Sequence, residues 1–484
     1  MALTITHSPE AFSPVYGPLN IRLTSTLYTN TDFKYIYDVY TVDPSTLVET
    51  FRIRIKIIPR PDGSGIYDAH RTLENYLTYK FSPVGTGFVE NTESIVVYKI
   101  YLGEQYDPGI SFTSIADNGS GYLRFTTSST HGFSSGDEVT INKDNKGLNT
   151  DYDGIHAITA VTTYTFDTNV TSTGYNTDTG DVTLRTHLST NTGVKTAFNG
   201  TRQYDEASRA FTSEFTLQGS SGNTRKFLTN FRDVRLVKST DSGTVSFYDS
   251  TGVGNKVTHM LVKTYDSTGA LIGNYTIIQS PSITTYRQDY RCFPKNLSTV
   301  TSYNLVTSTT TTVFDSNVAS YTIQAINGSS YPTVSFTAVS EILEFEVDDT
   351  CSKWDNVRLV FMNRLGGAEY FNFDMLSEKT TNISRTEYTK ILPYNYSTGD
   401  RGDTVLSQLV QDNITVNTDF VNEYTSLWLE ELFTSSEVYI LDGTTLLPVV
   451  ITSTTYVAKT TVKDSLKQYT LTLKYSYIKN TQRG

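Results

Sequence analysis

Apolar and polar residues alternate with a period of two along most of the chain, the pattern of strands that bury one face. The alternation is clearest in LNIRLTSTL (19–27), FKYIYDVYTV (33–42) and TFRIRIKII (50–58), which predict three successive strands. Pro59, Pro61, Asp62 and Gly63 then break the pattern. After Asp68, a plausible N-cap, Leu73, Tyr76, Leu77 and Lys80 fall at helical spacing, so a short helix is predicted over 69–79. ESIVVYKIYLGEQY (93–106) returns to strand.

Asp107-Pro108-Gly109 is the next strong break, and STNTGVK (189–195) is another. Between them lies a segment rich in Gly, Asp, Asn and Thr. After it, FNGTRQYDEASRAF (198–211) resumes the aromatic, Arg-containing style of the first segment. This reads as a guest module set into a loop of a first domain that is split in sequence. Four divisions follow: a discontinuous N-terminal β domain (1–110 with 190–230), an inserted small β-barrel (111–189), a middle β domain (231–340), and a C-terminal β domain with a short capping helix (341–484).

In the middle region, two strands of VTHMLVKTYDSTGALIGNYTII (257–278) flank a hairpin turn at Asp266–Gly269. A second hairpin is predicted around Asn327-Gly328. VTSTTTTVF (306–314), which lacks Pro, reads as a strand or sheet edge rather than a mucin-like stalk. LEFEVDD (343–349), VRLVFMN (357–363) and AEYFNFDM (368–375) are strands of the C-terminal region. NEYTSLWLEELFTSS (422–436) is the strongest helix, with Tyr424, Leu427, Trp428 and Leu432 on one face and Glu430 and Glu431 outside it. Three closing strands follow in EVYILDG, LLPVVITSTTYVAKTT and KQYTLTLKYSYI.

Composition sharpens the class. The 34 Tyr and 24 Phe stand against 2 Trp and 4 Met, and only 18% of residues are charged. β-branched and aromatic residues suit a pleated, half-buried surface, so the fold class is all-β, several sandwich or barrel domains with one inserted small barrel and two short helices. The formal net charge of −11 argues against specific nucleic-acid binding. In RIRIKIIPR (52–60), Arg52, Arg54 and Lys56 read as the solvated face of a strand rather than a phosphate track. No run approaches the ~18 apolar residues of a spanning helix, so no membrane insertion is expected. The N-terminal residues lack the basic and apolar pattern of a signal peptide. Cys292 and Cys351 are far apart and read as free thiols of a protein assembled in a reducing cytoplasm.

The candidate chemistry is thin. THGFSSGDEVTINK (130–143) gathers a histidine, serines, an aspartate and a glutamate around two glycines, which raises the question of an active site. An enzyme needs reactive groups that converge. The six histidines, His7, His70, His131, His156, His187 and His259, are scattered and no two have metal-ligand spacing. No nucleophile elbow, phosphate loop or dinucleotide fingerprint occurs. Glu344 and Glu346 alternate with apolar residues as the wet face of a strand, and Asp348 and Asp349 are adjacent. NKDNKGLNTDYDG (142–154) lacks the spacing of a calcium loop and reads as a polar loop. DRGD (400–403) reads as an acidic Gly loop. No catalytic, cofactor-binding or metal residue is therefore assigned, no cofactor is expected, and the chain is read as no enzyme. In the guest module, Ser134–Asp137 is a tight turn and Val139 and Ile141 point inward. Tyr152, Ile155, Ile158, Val161, Tyr164 and Phe166 are expected to fill one small core, with His131 bonded to local backbone.

One resemblance gives these residues a context. His131, Gly132, Phe133, Gly136, Asp137, Val139, Ile141, Tyr152, Gly154, Val161, Tyr164 and Phe166 fit the pattern of a small β-barrel repeat common in bacteriophage structural proteins. It is also similar to the first catalytic-cysteine half-domain module of ubiquitin-activating enzymes. WDNVRLVFMNRLGGAEYFNFDM (354–375), ISRTEYTKI (383–391) and the closing strands resemble tail or neck structural proteins of phages infecting Bacteroidetes and related marine hosts. The resemblance implies a tailed-phage virion structural protein, a ring subunit of the neck, tail or baseplate, assembled in the host cytoplasm. Its implied partners are copies of itself in a ring and other tail or neck proteins. The N-terminal arm, 1–18, is expected to reach a neighbour. A receptor- or glycan-binding tail component is the alternative, and a tail-associated glycan hydrolase a more distant one.

Overall fold

The computed structural model describes residues 3–143, 152–171, 179–206, 209–217, 225–249, 256–278, 287–328, 336–350, 353–453 and 467–479. The chain is all-β: 54% of it is strand and 8% helix. Its contacts divide it into two compact units. The first holds Met1–Leu77 and Ile95–Phe198, and the second holds Thr78–Ser94 and Asn199–Gly484.

In the first unit, an eleven-stranded sheet contains the guest module. Six strands of it close on themselves. Ile110–Asp117 pairs Tyr122–Thr127, which pairs Thr165–Thr171, then Gly154–Val161, then Glu138–Lys143, then Gly180–Asn191, which returns to Ile110–Asp117. Closure removes every free strand edge within the module. Phe112, Phe125, Phe133, Val139, Ile141, Tyr152, Ile158 and Phe166 fill the interior, all buried. Val139 and Ile141 point inward as the alternation predicts. Ile155 and Tyr164 do not join this core and are 71% and 52% exposed. Ile155 is three residues before inward-facing Ile158, so the pleat turns it out. Tyr164 sits in the turn that Thr162 Oγ1 closes on Thr165 N.

The barrel shares a strand with its host. The far end of Gly180–Asn191 pairs Ile95–Tyr106, which also pairs Lys34–Val42 and Lys195–Thr201. Val15, Leu23, Tyr35, Tyr37, Tyr98 and Ile100 fill a second core there. The N-terminal residues belong to this unit and are no free arm: Leu3–His7 pairs Asn20–Ser25, and Phe12–Tyr16 is the end strand beside Lys195–Thr201. The helix expected over 69–79 is a single α-turn, His70–Leu73, followed by a 3-10 turn at Glu74–Tyr76. The cap position falls on Ala69, and the Asp68 carboxylate just before it accepts from His70 N at 3.2 Å and from Leu19 N at 2.9 Å. Arg54, read as solvated, forks onto buried Asp38 at 2.8 Å, while Phe51 and Ile53 of the same strand are exposed.

In the second unit, the sequence boundaries shift. Residues 231–340 and 341–484 fall together, and they take in Asn199–Asn230 and Thr78–Ser94. Phe88–Glu90 is a strand that pairs Arg287–Arg291. A five-stranded sheet runs Arg235–Val237, Phe336–Val347, Ser320–Gly328, His259–Tyr265, Leu271–Ile278. The Asp266 turn is as predicted, with Gly269 at φ 81° and Gly269 N donating to Asp266 O at 3.0 Å. The second hairpin forms as well, Ser320–Gly328 pairing Phe336–Val347 antiparallel; Gly328 is still in the ladder, opposite Phe336, and the connection falls outside the described residues. Thr309–Thr312 is a strand paired with Thr301–Asn304. Two single-turn helices, Phe211–Phe215 and Pro294–Leu297, add to the two that were predicted.

A seven-stranded sheet closes the chain: Ala368–Phe373, Val357–Met362, Val438–Asp442, Thr445–Ile451, Thr470–Tyr475, Asp403–Asn417, Glu378–Thr389. The helix Glu423–Thr434 packs against it through Trp428, Leu429 and Leu432, with Asn422 Oδ1 capping Thr425 N at 2.8 Å. The buried face is displaced from the predicted one. Tyr424 and Leu427 are exposed, and Glu431 is buried, accepting from Asn230 Nδ2 at 2.7 Å and Arg364 Nε at 3.1 Å. Burial raises the Glu431 carboxyl above its usual range.

Candidate functional site

The residues of 130–143 that look catalytic when counted are joints of the barrel. His131 Nδ1 accepts from Phe133 N at 3.0 Å, which leaves Nε2–H to donate to Thr165 O at 3.3 Å. The ring lies 4.6 Å from Phe133 and 5.8 Å from Phe166, centroid to centroid. Burial pushes the imidazole below its usual pKa, so it is neutral at pH 7. Gly136, at φ 94°, supplies the left-handed position that brings Asp137 N back to Ser134 O.

Asp137 is 1% exposed. Its Oδ2 accepts from Ser134 N at 2.9 Å and Arg185 Nε at 2.7 Å, and its Oδ1 bonds His187 Nδ1. Burial alone would raise this carboxyl; the bonds from His187 and Ser134 and the Arg185 charge outweigh it and hold the group below the usual carboxylate range. Arg185 continues to Tyr106 Oη at 2.9 Å and covers the Phe133 ring at 5.4 Å. Glu138 takes Arg54 from the strand Glu49–Ile57. Both carboxylates thus bind the barrel wall to strands far away in sequence. Sequence reasoning missed Arg185 and His187, which lie about fifty residues beyond Asp137 with no local signal.

His156 Nε2–H donates to Tyr152 O at 2.8 Å, a local bond. Among the described residues, no group of three His, Cys, Asp or Glu side chains is placed to hold a metal ion. Most of the polar loop at 142–154, and Cys351, lie outside the described residues. Cys292 is fully buried, and burial pushes its thiol pKa up.

The prominent exposed element is a hairpin. Glu378–Thr389 pairs Asp403–Asn417 along its whole length, and all twelve residues of the first strand are exposed. The returning strand meets its other neighbour, Thr470–Tyr475, only at Asn413–Asn417, with one further bridge from Val410 to Lys479. At ~3.4 Å per residue, the paired part beyond Val410 runs on the order of 20 Å before the tip. At its root, Asp412 forms an ion pair with Lys479 Nζ at 2.6 Å and accepts from Thr381 Oγ1 at 2.8 Å, which hold the carboxyl below its usual range.

The tip is built rather than loose. Lys390 N donates to Gly402 O at 2.6 Å, Tyr396 N to Pro393 O at 3.1 Å, and Ser397 N to Asp400 Oδ2 at 2.7 Å. DRGD is thus the return of this tip into the second strand. Its apolar side chains are largely in water: Ile391 and Tyr394 are essentially fully exposed, and Tyr396 is 62% exposed. Ile383, Leu406 and Leu409 add to this surface along the stem.

No protein-family model and no curated protein sequence matches the chain. Among solved structures, the phage phi92 endosialidase aligns over 100% of this chain and 70% of its own at 10% identity, with a TM-score of 0.15. A score of that size carries no statement about fold or activity.

Proposed function

We propose that the chain is a structural subunit of a tailed-phage virion, forming an oligomeric ring in the neck, tail or baseplate and docking other tail proteins. The observation that carries assembly is the hairpin 378–417. An isolated hairpin with Ile391, Tyr394 and Tyr396 in water loses the burial that such side chains normally gain, about 1.5–3 kcal/mol each. Apolar surface of this kind marks a contact with another chain. Extended arms supply backbone pairing and side-chain anchors in such contacts. The closed barrel supports the phage reading, since the resemblance implies a small barrel at that place. The polar residues of 130–143 are spent on structure, which supports a scaffold over an enzyme.

The test is the mass of the purified full chain by light scattering, with electron microscopy of any oligomer. A second protein has 390–402 replaced by Asn-Gly, a two-residue turn that joins Thr389 to Asp403 and keeps the ladder. Rings from the parent and monomers from the shortened chain are expected. Equal assembly of both removes the hairpin from the interface and the reading with it.

A further inference from the structure

The same unit that carries the hairpin also carries a cleft whose chemistry complements the tip. A cavity of about 340 Å³ opens between two strands that each end a sheet. Arg235–Val237 pairs only Phe336–Val347, and Ala368–Phe373 pairs only Val357–Met362, among the described residues. The third wall is the loop 419–422 and the first turns of the helix Glu423–Thr434. This volume falls within the ~300–1,000 Å³ of pockets that enclose a ligand-sized group.

The lining has two parts. Phe231, Phe371 and Trp428 form an aromatic floor, with Phe231 and Trp428 rings 4.8 Å apart, and exposed Leu236 and Phe420 stand at the mouth. Four carboxylates line it as well: Asp233, Asp348, Asp374 and Asp419. The cations do not balance them. Arg235 is committed to buried Glu369 and Arg358 to buried Asp241, each at 2.7 Å. Among the described lining residues the remaining cation is Lys238, 3.7 Å from Asp374. The cleft therefore fits an aromatic or aliphatic group that carries positive charge beside it.

The hairpin tip has that chemistry. Ile391, Leu392, Tyr394 and Tyr396 are flanked by Lys390 and Arg401. The two acids of the return, Asp400 and Asp403, accept from Ser397 N and Thr389 Oγ1, each at 2.7 Å. Among the described residues, nothing of the same molecule covers Ile391 or Tyr394, which are exposed in full. An occupant of this type must come from a second molecule.

We propose that this cleft receives the tip of the hairpin of a second copy of the chain, with Tyr394 or Tyr396 on the aromatic floor and Lys390 and Arg401 facing the carboxylates. The contact is heterologous, a different surface on each partner, the kind that closes into a ring or runs on as a filament. It deepens the assembly reading above and rests on it, by naming the surface that the arm enters.

Full-length chains test it in two ways. L236C and Y394C chains are mixed under mild oxidation, and the intermolecular disulfide is mapped by mass spectrometry. The 236–394 crosslink is expected in the mixture and absent from either chain alone. Separately, D348K/D419K and K390E/R401E are each expected to weaken association at least ~10-fold at low salt, and mixing the two charge-reversed chains restores it. Rescue by mixing separates a charge contact from misfolding of either variant. If shortening the hairpin abolishes assembly while the crosslink is missing and the reversals associate like the parent, the cleft is not the acceptor and the assembly reading survives. If shortening changes nothing, both fall.

Discussion

Asp137 and Arg185, 48 residues apart in the chain, meet at 2.7 Å across the seam where Glu138–Lys143 joins Gly180–Asn191 and closes the barrel. Both are buried. Asp137→Ala leaves the Arg185 guanidinium, 11% exposed, without its carboxylate partner, at a cost of about 3–5 kcal/mol. Urea unfolding of the full chain, followed by hydrogen exchange in the barrel strands, measures it. A loss below about 1 kcal/mol would show that the pair is not a clamp.

Glu214 bonds Arg209 Nε at 2.7 Å and Lys226 Nζ at 2.7 Å. The Arg209 bonds outweigh burial and hold its carboxyl down at about 2, from the usual 4.5. A lowered carboxyl contributes stability that is complete above the unfolded value and lost as pH falls through the folded one. Stability should therefore fall between about pH 4.5 and 2 by on the order of 2 kcal/mol from this site, given its partial exposure. In Glu214→Gln that part of the acid slope disappears, read from unfolding curves at stepped pH. An unchanged slope would contradict the assignment.

Ile158 and Ile155 separate inward from outward on one strand. Ile158→Ala should cost about 2–5 kcal/mol, because it opens a cavity among Phe125, Phe133 and Phe166. Ile155→Thr should stay within ~0.5 kcal/mol. Thermal melts of both proteins decide it, and similar losses would mean that the strand register is wrong.

Cys292 lies in the core of the second unit. The thiolate is the reactive form, and burial disfavours it. Iodoacetamide should leave Cys292 unlabelled in the native protein and label it in denaturant, as read by peptide mass. Native labelling at a rate near that of a free thiol would overturn the burial.

Much of the fold was legible because its signals are local. Period-two alternation placed the strands at 19–58, and Asp266 with Gly269 marked a hairpin, since turn chemistry depends on a few adjacent residues. The helix at 423–434 was legible from its period. Its buried face was not, because Tyr424 and Leu427 are apolar enough for a core yet face away from the sheet, while Glu431 is turned inward toward Asn230 and Arg364. A helical pattern gives the phase of a stripe only when the stripe is unambiguous. The helix expected over 69–79 stopped early because Leu77 turns extended, and the next residue, Thr78, donates to Glu93 O instead of continuing the turn.

The sequence by itself determined an all-β chain, the positions of most strands, the inward Val139 and Ile141 pair and the Gly136 turn, because each follows from the alternation of Cβ directions or the freedom of one glycine. The tertiary structure decided what joins what. It closed six strands into a barrel, bound Asp137 to Arg185 and His187, drew 78–94 into the second unit through Phe88–Glu90, and paired Leu3–His7 and Phe12–Tyr16 with strands of the first unit. It also left Glu378–Thr389 with a single partner strand and its tip in water. Strand pairing is set by hydrogen bonds between segments distant in the chain, and a pattern of alternating residues is the same whether or not that partner is present.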